Sequence, residues 1–207
     1  MQIKKPIAAL SALALTVAVT ISISAIPSPI HACVGRKLVV GSLETERPSM
    51  VSRILSILIH ERTGTTVELK YYPDLSGLHA AVRKGRVDLY VDHVDSAMER
   101  LKIKVSSSDE TARFNTVKHR FEEDLNLIWL KPMGYSGIDG DGRSLGSAST
   151  VVRKDTLKKF PALPRLLEKI GTRVVLDDLG LDRLVTQAHT EKPAKVARDY
   201  LKEAKLI

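Results

Sequence analysis

Apolar and polar positions alternate along most of the chain at two periods. Short runs rich in β-branched residues read as strands over 37–43, 66–72 and 87–91. Between the first two lies a stripe at Val51, Ile54, Leu55, Leu58 and Ile59, the spacing of one helix face, stopped at Gly64. A shorter helix over 75–84, closed by Gly85, separates the second strand from the third. The resulting β-α-β-α-β order predicts a single α/β body with a mostly parallel sheet flanked by helices.

Beyond the third strand, Ser106 and Asp109 offer caps for a polar helix reaching about Asp124, and the run 125–130 reads as a further strand. Residues 131–149 hold five glycines and few apolar positions, so a glycine-rich loop is expected over 136–149. The β pattern resumes over 148–152, and helical patterns follow over 154–160, 162–170, 178–186 and 193–204. No internal repeat is visible.

The amino-terminal stretch is different. Lys4 and Lys5 precede an uncharged, Ala/Leu/Val/Ile-rich run over 6–30, which has the order of an export signal spanning 1–32. The run is also long enough to serve as an uncleaved anchor. The lone cysteine, Cys33, follows Ala32, where a lipoprotein signal places its acylated residue, although His31 departs from the small residue such signals favour. Either route places residues 33–207 outside the cytoplasm, in the periplasm or on the outer face of the membrane.

Composition narrows the chemistry. Of 207 residues 43% are hydrophobic and 27% charged, which suits a globular chain with a real core. One cysteine excludes an internal disulfide and a multi-thiolate zinc site. The net charge of +8 is dispersed among mixed-sign pairs, with no basic run interleaved with stacking rings, so nucleic acid is not the expected partner. Gly142-Arg143-Ser144-Leu145-Gly146 matches G-x-S-x-G, but Asp139-Gly140-Asp141 precedes it and a strand follows, the reverse of the strand-to-helix elbow a nucleophile needs. Asp139 and Asp141 imitate a calcium loop whose later positions fail, with Ser144 where the turn glycine belongs. Asp88, Asp92, His93 and Asp95 lack the second His or Cys that would favour a metal over acids gathered at a helix start. No enzyme, metal or cofactor is expected.

Four segments in order carry a resemblance: Leu38-Val39-Val40-Gly41-Ser42-Leu43-Glu44-Thr45-Glu46, Gly85-Arg86-Val87-Asp88-Leu89-Tyr90, Ile128-Trp129-Leu130-Lys131-Pro132-Met133-Gly134-Tyr135, and the stretch from Val151 to Leu163, with 196–201 near the end. Together they resemble the glycine betaine type of substrate-binding protein serving ABC importers of osmoprotectants. The resemblance implies a type II periplasmic-binding fold and a quaternary ammonium ligand, such as glycine betaine, choline or carnitine, held by aromatic faces through cation–π attraction. It also implies an ABC permease as partner. Carried onto this chain, the ligand-binding positions are Ser42, Glu44, Thr45, Tyr90, His93, Trp129 and Tyr135, with His93 standing where relatives often place a tyrosine and Trp129 better suited to core packing than to ligand contact. Family proteins insert a whole second lobe between the segments that here flank 136–149, and no independent core fits that length. The expectation is therefore one lobe of a two-lobed fold. Its missing wall would come from a second-lobe partner or a homodimer, or the lobe would have lost ligand capture and become an envelope interaction or regulatory domain.

Overall fold

The computed structural model describes residues 37–104, 109–139 and 141–207, all within the compact unit Gly35–Ile207. The proposed export signal over 1–32, Cys33 and Ser106 lie outside the described residues. The elements run β1 (Leu38–Leu43), α1 (Glu46–Thr63), β2 (Val67–Tyr72), α2 (Leu75–Arg83), β3 (Leu89–His93), α3 (Val94–Arg100), α4 (Glu110–Leu125), β4 (Leu127–Ile138) and β5 (Ser144–Arg153). Five helices complete the chain: α5 (Lys154–Lys159), α6 (Leu163–Leu167), α7 (Lys169–Thr172), α8 (Asp178–Ala188) and α9 (Pro193–Glu203).

The sheet has five strands in the order β2-β1-β3-β5-β4. β1 pairs in parallel with β2 and β3, while β5 is antiparallel to both β3 and β4. Four strands therefore point one way and β5 alone is reversed, so the expected parallel pairing holds for β2-β1-β3 while β5 makes the remainder of the sheet antiparallel. Helices cover both faces. On one side α1 buries Met50, Val51, Ile54, Leu55, Leu58 and Ile59 against the sheet and the carboxy-terminal helices. On the other, α2, α3 and α4 pack Leu78, Val82, Ala97, Val117 and Phe121 against Tyr90, Trp129 and Val151. Asp88, just before β3, ties three elements together: its carboxylate accepts the Val39 N–H at 2.8 Å and the Thr156 hydroxyl at 3.0 Å, so β1, the start of β3 and α5 meet at one half-buried acid.

Two expectations change. The stretch over 131–149 is largely strand, β4 running to Ile138 and β5 from Ser144 as the two arms of a long hairpin. Its glycines lack a helical period but tolerate pairing, and β5 runs beside them with irregular register, at Pro132–Ser149, Ser136–Ser147 and Ile138–Ser144. The helix expected over 162–170 is divided into α6 and α7 at Glu168, and α7 is itself kinked, with Ile170 at an extended ψ of 120° and Gly171 at φ 98°.

Gly171 sits against the backbone of β4, where an added Cβ would collide with the Pro132 carbonyl and lie 3.0 Å from the Met133 Cα. Neither atom can swing aside. Gly171→Ala should cost about 2–4 kcal/mol, combining left-handed strain with overpacking, and urea denaturation should show the lowered midpoint.

Candidate functional site

A cleft of about 640 Å³ opens at the carboxyl ends of β1 and β3. This is the place an α/β sheet offers a ligand, because β1 is flanked by β2 on one side and β3 on the other and the crossovers diverge there. Its walls come from the end of β1 (Gly41, Ser42), the start of α1 (Thr45, Arg47), His93 on β3, and Tyr135 and Gly137 on β4.

Strand geometry decides which predicted residues share this space. Along β3 the side chains alternate, so Val91 and His93 face the cleft while Tyr90 and Asp92 face the opposite layer. Along β4 the alternation is interrupted. Trp129 pairs with Val151 and Pro132 with Ser149, so three steps on β4 oppose two on β5. That bulge moves Met133 and Tyr135 onto the face that Ile128 and Leu130 occupy, away from Trp129. Pro132 explains the interruption, because it has no N–H for the ladder. The Ser149 hydroxyl donates to the Leu130 carbonyl at 2.5 Å in the same place.

The structure thus brings Ser42, Thr45, His93 and Tyr135 together and leaves three predicted residues elsewhere. Tyr90 is buried in the reverse layer, its hydroxyl donating to Asp92 at 3.3 Å. Trp129 is core, edge-on to Phe121 at 5.3 Å and Phe114 at 6.0 Å. Glu44 is exposed and borders a separate hollow with His189 and Pro193.

Within the cleft, His93 stands edge-to-face on Tyr135, with centroids 5.8 Å apart and planes at 79°. Its Nε2 is buried with no hydrogen-bond partner. Burial holds its pKa below the ordinary imidazole value, as does the Arg47 charge, against the opposing pull of Asp92 and Asp178. The ring is therefore neutral at pH 7. Gly137 lies on the same strand face as Tyr135, and a Cβ there would stand 2.5 Å from His93 Nε2. The imidazole occupies the room that a side chain would need.

Arg47 and Gly137 were missed from sequence. Arg47 lies two residues into α1, where a cation opposes the helix dipole. It is held by Asp178, 2.5 Å from Nη2, and Asp182, 3.1 Å from Nε, while the other Asp178 oxygen accepts the Ser136 N–H at 3.1 Å. Those partners lie on α8, so no local spacing announces them. Gly137 was legible in principle, two residues past Tyr135 on a strand, but the stretch read as loop.

The acidic group singled out in the sequence serves several local roles. Asp92, 1% exposed, receives both Arg100 nitrogens, at 2.9 and 3.2 Å, and the His93 N–H at 2.9 Å. Burial raises its pKa, but His79 and Arg100 outweigh burial and bring it to about 2. Asp95 pairs with Arg113 at 3.4 Å. Because the folded pKa of Asp92 is depressed, its contribution is present above the unfolded value near 4 and is lost as pH falls toward 2. In urea titrations, the wild type should lose about 2 kcal/mol more than Asp92→Asn between pH 5 and pH 2.

Comparison with known proteins adds to this geometry. The sequence profile described as "Substrate binding domain of ABC-type glycine betaine transport system" matches residues 36–140. Among solved structures, a chain described as a glycine betaine/carnitine/choline ABC transporter superposes with a TM-score of 0.70 at 13% identity, covering 83% of this chain and 99% of that one. Apo YehZ from Escherichia coli superposes with a TM-score of 0.69 at 14% identity, covering 84% of this chain and 100% of its own. Both likenesses concern the fold.

Proposed function

This chain belongs to the family of substrate-binding domains of ABC-type glycine betaine transport systems, and from that premise we propose that its cleft captures a zwitterionic quaternary ammonium compound outside the cytoplasm for delivery to a membrane permease. The observation that carries the reading is the Tyr135–His93 ring pair standing beside the open amino end of α1. A trimethylammonium head has no N–H to donate, so it seeks an aromatic face, and Tyr135 is the ring available in this cleft. Neutral His93 fills the adjoining wall without repelling a cation. For the carboxylate, α1 offers two backbone donors. Thr45 caps the helix without a side-chain hydrogen bond, Pro48 has no N–H, and Ser49 is bonded to the Thr45 carbonyl at 3.0 Å, which leaves the Glu46 and Arg47 amides for an anion.

On this reading the β4–β5 hairpin replaces the second lobe of two-lobed relatives, and the ligand's far wall would come from another chain, a second-lobe protein or a second copy. Binding by this unit alone is accordingly weak, since the desolvation and enclosure of a closed clamp are absent. No helix among the described residues is long and apolar enough to cross a membrane, so membrane attachment would fall to the residues before them, by the signal or through Cys33.

Calorimetry with glycine betaine, carnitine and choline tests the proposal. Glycine betaine and carnitine should bind with Kd of about 1 mM, and choline, with no carboxylate, more weakly. Absence of heat from all three at twenty times that concentration would remove the ligand assignment.

Tyr135→Leu should weaken glycine betaine binding about tenfold while Tyr135→Phe retains it. Tyr90→Phe, altered on the reverse face, should leave the affinity as it was.

A further inference from the structure

A second cavity, of about 420 Å³, lies on the opposite side of the sheet beneath α2 and α4. That volume is in the ordinary range of small-molecule sites, about 300–1,000 Å³. Its floor is apolar: Val82, Tyr90, Leu101, Phe121, Leu125 and Leu127. Its rim is cationic. Ser76, His79 and Arg83 occupy one face of α2 at helical spacing, and Arg100 enters from α3. Arg100 is committed to Asp92 through both terminal nitrogens. Arg83, by contrast, is exposed and has no ion-pair partner among the described residues. His79 Nε2 is buried, 3.5 Å from Asp92 Oδ2, without a hydrogen bond. Among the lining residues the fixed charges are Arg83 and Arg100, with Asp92 behind Arg100 as its partner. Arg83 also borders an adjoining hollow with Arg153, Lys154, Asp155 and Lys158, where Asp155 is already taken by Arg153 at 2.5 Å, so the Arg83 fork is left over.

We propose that this reverse-face cavity is a second ligand site, taking a small monocarboxylate with an apolar body. The carboxylate would engage the planar Arg83 fork, which matches its two oxygens, and the apolar body would lie on Phe121 and Leu127. A quaternary ammonium compound is excluded by the uncompensated cation at the rim. The site is separate from the cleft, since the two cavities have no lining residue in common.

Trp129, the only tryptophan, packs 5.3 Å from the Phe121 ring that lines this cavity and so reports on it by fluorescence. Titration of the protein with phenylacetate and with hexanoate, followed by tryptophan fluorescence and calorimetry, should give saturable binding. Phenylacetamide should give none. Arg83→Ala should weaken binding at least about fivefold and Arg83→Glu should abolish it, with melting curves showing that both variants fold. Saturating glycine betaine and the Tyr135→Leu variant should leave the response intact, whatever their effect in the cleft. A flat titration, equal binding of the amide, unchanged affinity in both Arg83 variants, or displacement by glycine betaine would overturn the proposal.

Discussion

The arrangement of both cavities depends on how many residues each strand spends between its pairing points. β4 uses one residue more than β5 between the Trp129–Val151 and Pro132–Ser149 pairs. Without that extra residue, strict alternation would put Tyr135 under α4 beside Trp129 and turn Gly134 and Ser136 toward the cleft. The bulge therefore divides one strand into two halves: an inner half that packs Trp129 into one layer and an outer half that places Tyr135, itself only 4% exposed, in the wall of the cleft on the other. Pro132 breaks the ladder, and Gly134, at φ 110°, makes the following turn of the backbone possible.

β3 keeps its alternation, and this has the opposite consequence. Adjacent residues Asp92 and His93 face different layers, yet they are tied to each other by the His93 N–H, which donates to the Asp92 carboxylate. Asp92 is in turn fixed by Arg100, whose second nitrogen also reaches the Ser96 hydroxyl at 3.2 Å. The backbone that aims the imidazole into the cleft is thereby anchored by an ion pair on the other side of the sheet. A buried charge pair earns little net stability, but breaking it leaves an uncompensated charge, so it holds its surroundings to one geometry.

Most of the architecture was legible because it rests on periodicity. The α1 stripe from Val51 to Ile59 is buried as its spacing requires, and the β-α-β-α-β order produced the parallel half of the sheet. The hairpin was not legible, since Gly134, Gly137 and Gly146 signal loop in isolation and become strand only when a partner ladder is present. The site was legible in part. Ser42 and Thr45 follow from the rule that strand ends and helix starts face a cleft, and His93 from its place at the end of a strand. Tyr90 and Trp129 went to the other layer for reasons of parity, which in Trp129 no motif records. Arg47 depended on Asp178, 131 residues away in sequence.

The cleft's electrostatics also bear on how a chain of net charge +8 would suit the proposed quaternary ammonium ligand, which carries a full positive charge. The nearest fixed cation, Arg47, is countered by Asp178 and Asp182, and burial keeps His93 uncharged. At the mouth Glu46 is hydrogen-bonded to His189 at 2.8 Å, and Asp139 is paired with Arg143 at 2.8 Å. What remains inside is close to neutral, with a ring face on one side and helix amides on the other. Such a surface offers little to a lone cation or a lone anion, because each would be desolvated against only half of its complement. A molecule carrying both charges a few bonds apart meets both halves at once, and the long-range field of the chain acts on it with almost no net force.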